Sequence, residues 1–190
     1  MFVLLFTGVP VNSHRELIGD TIRSLLVGIN DARVSGNADI SLVTYSLSSC
    51  IGIAVHDPVN GIGGLLHYML PDSGIDPVKA KEYPWMFADT AIPRFFQQAS
   101  RMGLDKSRLR VMVAGGAQVL QAKDSLEIGK KNLQAMRRIF RRSGVVVDAE
   151  DVGGREIRTL RLEIGSGRLM VRRNGSEEQE LRSRRRYFKA

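Results

Sequence analysis

Three residues in the first half of the chain combine side-chain types that support nucleophilic chemistry: Thr44, Cys50 and His67. A cysteine thiolate attacks electrophilic carbon, and a neighbouring imidazole draws off the thiol proton and lowers the pKa of the thiol below about 8.5. The second ring nitrogen of that imidazole needs an orienting partner, for which the Thr44 hydroxyl is a candidate. Backbone N–H groups around Ser49 and Cys50 are candidates for stabilising an oxyanion.

The sequence around these residues predicts how they are brought together. A run of small residues ends at Ser49 and predicts a turn into the strand CIGIAVHD, which begins at Cys50. Asn60-Gly61 predicts a hairpin, and His67 lies on the returning strand GGLLHYML. The hairpin can therefore bring the imidazole beside the thiol. The pattern alone leaves open that Cys50 is an inert core residue.

The counts of cysteine and histidine limit the other kinds of chemistry. One cysteine excludes an intrachain disulfide framework, which is typical of a protein in a reducing compartment, and we expect a cytoplasmic location. Three histidines without close ligand spacing predict neither a metal site nor a cofactor. His56, before Asp57-Pro58, is interpreted as a surface residue of a turn. Gly115-Gly116 lacks the spacing of a phosphate loop, and close chain packing is expected there.

The order of the elements predicts a single-domain layered α/β sandwich with a mixed, largely antiparallel sheet and two main helices. The 190 residues, 43% of them apolar, suffice for one such core. Helices are predicted from about Asp89 to Gly103 and from about Glu127 to Arg142, with a loop over residues 72–87. The remaining strands are predicted in the segments SLVTY, RLRVMVA, VVVDAED, EIRTLRLEI and RLMVRR.

Three regions are expected along the chain. Residues 1–24 are an extension of uncertain structure, in which HRELIGDTIRSLL favours a short amphipathic helix, residues 25–173 are the α/β domain, and residues 174–190 are a basic tail. The longest apolar run, from Met1 to Val11, is shorter than the roughly 18 residues of a membrane span. It also lacks the preceding basic residues and the cleavage site of a signal peptide.

The net charge of +8 is unevenly distributed. Residues 181–190 carry five positive charges, and without them the chain has 23 positive and 20 negative charges. Nucleic-acid binding would rest on net charge alone, because no recognised binding motif supports it. Six cations share one face of the predicted helix at 127–142, which fits either an acidic partner or a solvated face.

An ordered set of motifs extends along the chain from Thr44 to Arg158. Besides the Thr-x5-Cys-x16-His spacing, it comprises His56-Asp57-Pro58, Gly63 to Ser73, Tyr83, Ala88 to Pro93, Ala114 to Ala117, Ile128-Gly129 with Asn132, and Ala149 to Gly154 with Arg158. This set closely resembles the chemoreceptor glutamine deamidase family, CheD, over about residues 25–173. The spacing of Thr44, Cys50 and His67 agrees with the catalytic triad of that family.

The resemblance implies an activity and a fold. Members of the family hydrolyse the side-chain amides of specific chemoreceptor glutamines to glutamate and ammonia, and some also hydrolyse glutamyl methyl esters. Carried over, Cys50 would attack the amide carbon, and His67, oriented by Thr44, would move the thiol proton to the departing ammonia. Water, with His67 as base, would then hydrolyse the thioester. The implied fold is a layered α/β sandwich, shared distantly with glutamine-deamidating bacterial toxins.

The chain departs from the family pattern before the nucleophile. The family usually has glycines where this chain has Ser46 and Ser48, and serine there limits positive-φ conformations or alters the oxyanion site. A lysine that commonly precedes Gly-Gly-Ala is Met112 here. The two serines keep an alternative open, a weakly active binding module that docks on chemoreceptors or on a CheC-type phosphatase, which members of the family bind. A Cys50 no more reactive with iodoacetamide than free cysteine would favour that alternative.

Overall fold

The computed structural model describes residues 23–118 and 127–182 of the chain. The strands in this part are β1 (Arg23–Leu26), β2 (Asp31–Ser35), β3 (Ile40–Leu47), β4 (Ile51–Asp57), β5 (Ile62–Tyr68), β6 (Arg110–Gly115), β7 (Ala149–Val152), β8 (Arg158–Glu163), β9 (Leu169–Arg173) and β10 (Gln179–Glu180). The α-helices in this part are α1 (Pro77–Glu82), α2 (Ala88–Arg101) and α3 (Ile128–Arg142).

The strands form two five-stranded sheets. The first has the order β1-β3-β8-β9-β10 and the second the order β2-β5-β4-β6-β7. The pairs β1–β3 and β6–β7 are parallel, whereas the other pairs are antiparallel. The predicted layered α/β sandwich with largely antiparallel pairing is therefore confirmed. The strand patterns did not indicate that the strands divide between two sheets.

The second sheet is the middle layer, with the first sheet on one face and the two longer helices on the other. All seven residues of β4 and all seven of β5 are buried, because both faces of these strands are covered. Successive side chains of β4 alternate between the two cores: Ile51 and Ile53 pack towards the helices, and Ala54 packs towards the first sheet. Leu160 and Leu162 of β8 complete the core between the sheets.

The helices pack on the middle layer through their apolar faces. In α2 the buried residues include Ile92 and Phe95, and in α3 they include Met136 and Phe140, so each pair lies on one face of its helix. Gly144, with φ of +67°, follows the end of α3, where a left-handed residue commonly stops a helix. The prediction of a loop over residues 72–87 was wrong for α1, which Asp76 caps by accepting a hydrogen bond from the Lys79 N–H.

The two ends of the described chain both contribute strands to the first sheet. Arg23–Leu26, predicted as the end of a helix, is instead the strand β1, which pairs in parallel with β3. The rest of that predicted helix, and residues 183–190 of the basic tail, lie outside the described residues. The strand β10, which lies within the predicted tail, pairs with β9. The bounds of the predicted α/β domain at residues 25 and 173 stay predictions. No helix in the described ranges is long and apolar enough to cross a membrane.

His56 is buried between the sheets, so its interpretation as a surface residue was wrong. It is 2% exposed, and its Nε2–H donates to the Ile164 carbonyl of the first sheet at 2.9 Å. The turn between β8 and β9 covers the ring, and a Cβ on Gly167 would lie only 2.3 Å from Nδ1. His56 of this motif therefore links the two sheets.

We expect Gly52→Ala to destabilise the packing of one sheet on the other. A Cβ at this position would lie 2.6 Å from Cδ1 of Leu160 and 2.8 Å from Cδ1 of Leu47, which overpacks a filled core. The free energy of unfolding, measured by urea denaturation, should fall by about 1 to 3 kcal/mol. Gly36→Ala is the matched control, because its nearest neighbour, Ile62, would lie at 3.7 Å. An unchanged stability of Gly52→Ala would contradict this account.

Candidate active site

A buried hydrogen bond joins Thr44 of the first sheet to His67 of the second. Both residues are 0% exposed, and Oγ1 of Thr44 lies 2.8 Å from Nδ1 of His67. The Thr44 hydroxyl also donates its single proton to the Val27 carbonyl, at 2.8 Å. Oγ1 can therefore only accept from the imidazole, so Nδ1 carries the ring proton of the neutral His67 side chain.

The other ring nitrogen of His67 is consequently a free acceptor. Nε2 is buried and has no hydrogen-bond partner in the structure. Burial lowers the pKa of His67 to about 4, because the charged imidazolium loses its hydration in the core. At neutral pH the ring is therefore uncharged, with the lone pair of Nε2 available to accept a proton.

Cys50 lies immediately before β4, on the same side of the second sheet as His67. In the β4–β5 ladder Gly52 is the partner of His67. Cys50, two residues earlier, belongs to the core between the sheets. Continuing this register makes Cys50 a diagonal neighbour of His67, a relationship in which Cα atoms lie about 7 to 8 Å apart. Gly52 places no side chain beside the imidazole, and the thiol makes no hydrogen bond to Nε2 in this structure.

Backbone hydrogen bonds from the end of β6 fix the segment that leads to Cys50. The Ala117 N–H donates to the Ser48 carbonyl at 2.7 Å, and the Gly116 N–H donates to the Cys50 carbonyl at 2.8 Å. Gly115 has φ of +112°, and a Cβ there would lie 2.2 Å from the Cys50 carbonyl oxygen. Only glycine fits so close to this backbone. The close chain packing expected at Gly115-Gly116 is confirmed.

Asn132 of α3 holds the same segment from the side of the helix. Its side-chain amide donates to the carbonyls of Ser49, at 2.9 Å, and Met69, at 2.8 Å. Asn132 is 0% exposed, and its backbone carbonyl accepts from the Tyr68 hydroxyl at 2.9 Å. The sequence analysis placed Asn132 in a motif without a role. An asparagine on the apolar face of a predicted helix was the available signal, since buried amides need partners.

The N–H groups of the segment are left for other partners. The carbonyls of Ser48, Ser49 and Cys50 all accept hydrogen bonds, whereas the N–H groups of Ser49 and Cys50 donate to no other described residue. Both N–H groups are therefore candidates for stabilising an oxyanion, as the sequence analysis expected. In the range that the structure describes, no group of three His, Cys, Asp or Glu side chains is arranged to hold a metal ion.

The acidity of the Cys50 thiol differs from the sequence-based expectation. Burial raises the pKa of this thiol above its ordinary value, and the residue's own N–H offsets only part of the effect. The expected lowering by His67 is absent, because the imidazole is neutral and not bonded to the sulfur. The resting pair is thus a thiol and a neutral imidazole. Slow alkylation by iodoacetamide is expected of this resting site, and does not by itself favour a binding role.

The two serines that replace glycines differ in conformation. Ser46 is exposed and has φ of +60°, in the left-handed region, whereas Ser48 does not adopt a positive φ. Ser46 lies in an irregularity of β3, where the pairing with β8 shifts between Thr44 and Leu47. This shift lets the side chains of both Thr44 and Leu47 face the core. The left-handed conformation costs a side-chain-bearing residue about 1 to 2 kcal/mol.

Ser46→Gly is therefore expected to stabilise the protein. Glycine removes the cost of the left-handed conformation but makes the unfolded chain more flexible, so we expect a net gain of about 0.5 to 1 kcal/mol in the free energy of unfolding. Urea denaturation measures the change. Ser48→Gly is the matched control and should lose about 0.5 to 1 kcal/mol, because it adds only flexibility. A loss of stability in Ser46→Gly would contradict the strain assigned to this position.

The lowered pKa of His67 predicts a dependence of stability on pH. The folded chain keeps this imidazole neutral, whereas the unfolded chain protonates it below about pH 6.5. The free energy of unfolding should therefore fall as the pH is lowered from about 6.5 to about 4, by on the order of 3 kcal/mol from this group. Urea denaturation across this interval compares the wild type with His67→Gln, which should lose less. Equal losses would show that His67 is not buried as a neutral base.

Comparison with known proteins gives matches over most of the chain. A family described as CheD chemotactic sensory transduction matches residues 69–173. A protein of Solibacter usitatus, "Probable chemoreceptor glutamine deamidase CheD", is 45% identical over 158 residues, which are 83% of this chain and 94% of that protein. The "Chemoreceptor glutamine deamidase CheD" of Thermotoga maritima is 35% identical over 154 residues, 81% of this chain and 94% of that protein. The chain therefore belongs to the CheD family.

Proposed function

We propose that this chain is a cysteine-dependent protein-glutamine deamidase that converts specific chemoreceptor glutamines to glutamate and releases ammonia. The hydrogen bond between Thr44 and His67 carries the proposal. It leaves Nε2 of a neutral imidazole as an acceptor, on the sheet face that also bears Cys50. The names of the relatives support the substrate class. A free thiol as nucleophile fits the reducing cytoplasm.

In the first step the Cys50 sulfur attacks the carbon of the glutamine side-chain amide. The thiol proton passes to Nε2 of His67 as the sulfur–carbon bond forms, since neither group is charged at rest. The negative charge on the amide oxygen is stabilised by the N–H groups of Ser49 and Cys50. The imidazolium keeps its Nδ1–H bonded to Thr44, whose hydroxyl is held by the Val27 carbonyl.

In the second step the carbon–nitrogen bond breaks. Nε2–H of His67 protonates the departing nitrogen, ammonia leaves, and a thioester remains on Cys50. Water then attacks the thioester carbon and gives a proton to Nε2. The carbon–sulfur bond breaks, and that proton returns to the sulfur, which regenerates the thiol. The net reaction consumes one water and converts one glutamine to glutamate. The same steps with methanol as leaving group would hydrolyse a glutamyl methyl ester.

The test is mass spectrometry of a chemoreceptor cytoplasmic fragment incubated with the protein. The wild type should produce the small mass gain of an amide-to-acid conversion at specific glutamines, and Cys50→Ala should reduce the rate by at least about a thousandfold. Thr44→Val should lower kcat by about a hundredfold with little change in KM, because the imidazole loses its orienting partner, and Thr44→Ser should restore most of it. Conversion that persists in Cys50→Ala would sink the assignment of Cys50.

A weakly active binding module is the second candidate function. It is favoured by the absence of a hydrogen bond between the Cys50 thiol and His67 in the structure. In this role the chain docks on chemoreceptors or on a CheC-type phosphatase. Binding to a receptor fragment that is equal in the wild type and in Cys50→Ala, without ammonia release by either protein, would support this role over catalysis.

A further inference from the structure

A cleft of about 400 Å³ lies beside the segment that leads to Cys50. One of its walls is Gly116, whose N–H donates to the Cys50 carbonyl at 2.8 Å. A group that occupies this cleft therefore lies next to the backbone that holds the nucleophile. The residues that line the cleft are Gly116, Gln118, Lys130, Leu133, Gly153, Gly154 and Arg155.

The loop that carries Arg155 into this cleft is tied to the end of β6. The Gly153 N–H donates to the Gly115 carbonyl at 2.9 Å, and the Gln118 N–H donates to the Gly154 carbonyl at 2.8 Å. Gly153 and Gly154 have φ of +76° and +66°, two left-handed residues in succession that form a sharp turn. The position of the loop is therefore coupled directly to Gly115, which packs on the Cys50 carbonyl.

The far side of the loop rests on a buried arginine. Arg158 is 3% exposed, and its guanidinium donates to the Glu156 carbonyl at 2.8 Å and to the Asp151 carboxylate at 3.2 Å. The Asp151 carboxylate also accepts from Arg173 at 2.8 Å. These contacts fix the residues on both sides of Arg155, so its guanidinium is presented from a preorganised backbone.

Arg155 itself has no counterion in the described part of the chain. It is exposed, whereas its neighbour Arg158 is paired with Asp151 and Lys130 lies 3.2 Å from Glu127. An unpaired guanidinium at the edge of a cleft can bind a carboxylate through two parallel hydrogen bonds. Arg155 is thus the cation of this cleft that a ligand carboxylate can bind without displacing an existing partner.

We propose that Arg155 is a specificity-determining residue, which binds a substrate carboxylate close to the target glutamine. On a helical substrate, residues three or four positions apart share one face and lie about 5 to 6 Å from each other. A glutamate at this spacing reaches the cleft when the glutamine reaches Cys50. The chain therefore selects glutamines that have an acidic neighbour on the same helix face. This inference rests on the proposed deamidase function and names the feature that its substrates share.

The test compares two helical peptides with one glutamine each. In one peptide, glutamates occupy the positions three and four residues from the glutamine, and in the other these glutamates are replaced by alanine. Measured by ammonia release, kcat/KM should be about threefold to fivefold higher for the acidic peptide than for the alanine peptide, which is the effect of one exposed ion pair. Addition of 0.5 M salt should remove most of this preference. Arg155→Glu should abolish or reverse the preference for the acidic peptide.

Arg142→Glu is the matched control, since Arg142 is exposed and lies about 18 Å from Lys130 along the axis of α3. It should keep the preference, and its loss in this variant would point to a general effect of net charge and overturn the inference. Equal turnover of both peptides by the wild type would also overturn it, while leaving the deamidase function intact. Fluorescence anisotropy measures the binding of both peptides to Cys50→Ala and so tests the selectivity without turnover. If the acidic peptide binds more tightly and this preference needs Arg155, but the wild type turns over neither peptide, the inference is supported and the deamidase function is rejected.

Discussion

The hydrogen bond between Thr44 and His67 is the interaction on which the rest of the site depends. It joins the two sheets through side chains that are both fully buried, so any change in the packing of the sheets changes the position of the His67 imidazole. Since the Thr44 hydroxyl has one proton and donates it in a hydrogen bond to the Val27 carbonyl, the bond to His67 also determines which ring nitrogen is protonated. The architecture of the fold and the acid–base state of the site are therefore set by the same contact. Gly52, which faces this layer, leaves the space that the arrangement requires.

Burial gives this site a low reactivity at rest. The core between the sheets disfavours both the thiolate and the imidazolium, which raises the pKa of Cys50 and lowers that of His67. In the proposed reaction, proton transfer between them becomes favourable only as a substrate develops charge that the surrounding N–H groups can stabilise. A thiol kept protonated in this way is also a poorer target for oxidants and alkylating agents. The proposed reaction therefore depends on contacts that the substrate supplies.

Much of the fold, and the contact between Thr44 and His67, could be predicted from the sequence. The hairpin at Asn60-Gly61 and the extent of α3, from about residue 127 to residue 142, depend on residues close in sequence and were predicted correctly. The division of the strands between two sheets could not be predicted, because strands such as β4 and β5 are buried on both faces and read as continuous apolar runs. Three findings depend on that division: the burial of His56, the Val27 carbonyl as partner of Thr44, and the raised pKa of Cys50. Asn132 was missed as the tie between α3 and the Cys50 segment, since its two acceptors are distant in sequence.

The strands β3 and β8 pair with each other in the first sheet but are synthesised at different times. Thr44 lies opposite Leu160 in this ladder, more than a hundred residues later in the chain. At about 10 residues per second, the ribosome delivers β8 on the order of ten seconds after β3. Through that interval the first sheet lacks its central strand, and Cys50 is a thiol of ordinary acidity on an incomplete chain. Contacts between such distant segments form slowly. The protection that burial gives the thiol thus begins only after β8 has been synthesised.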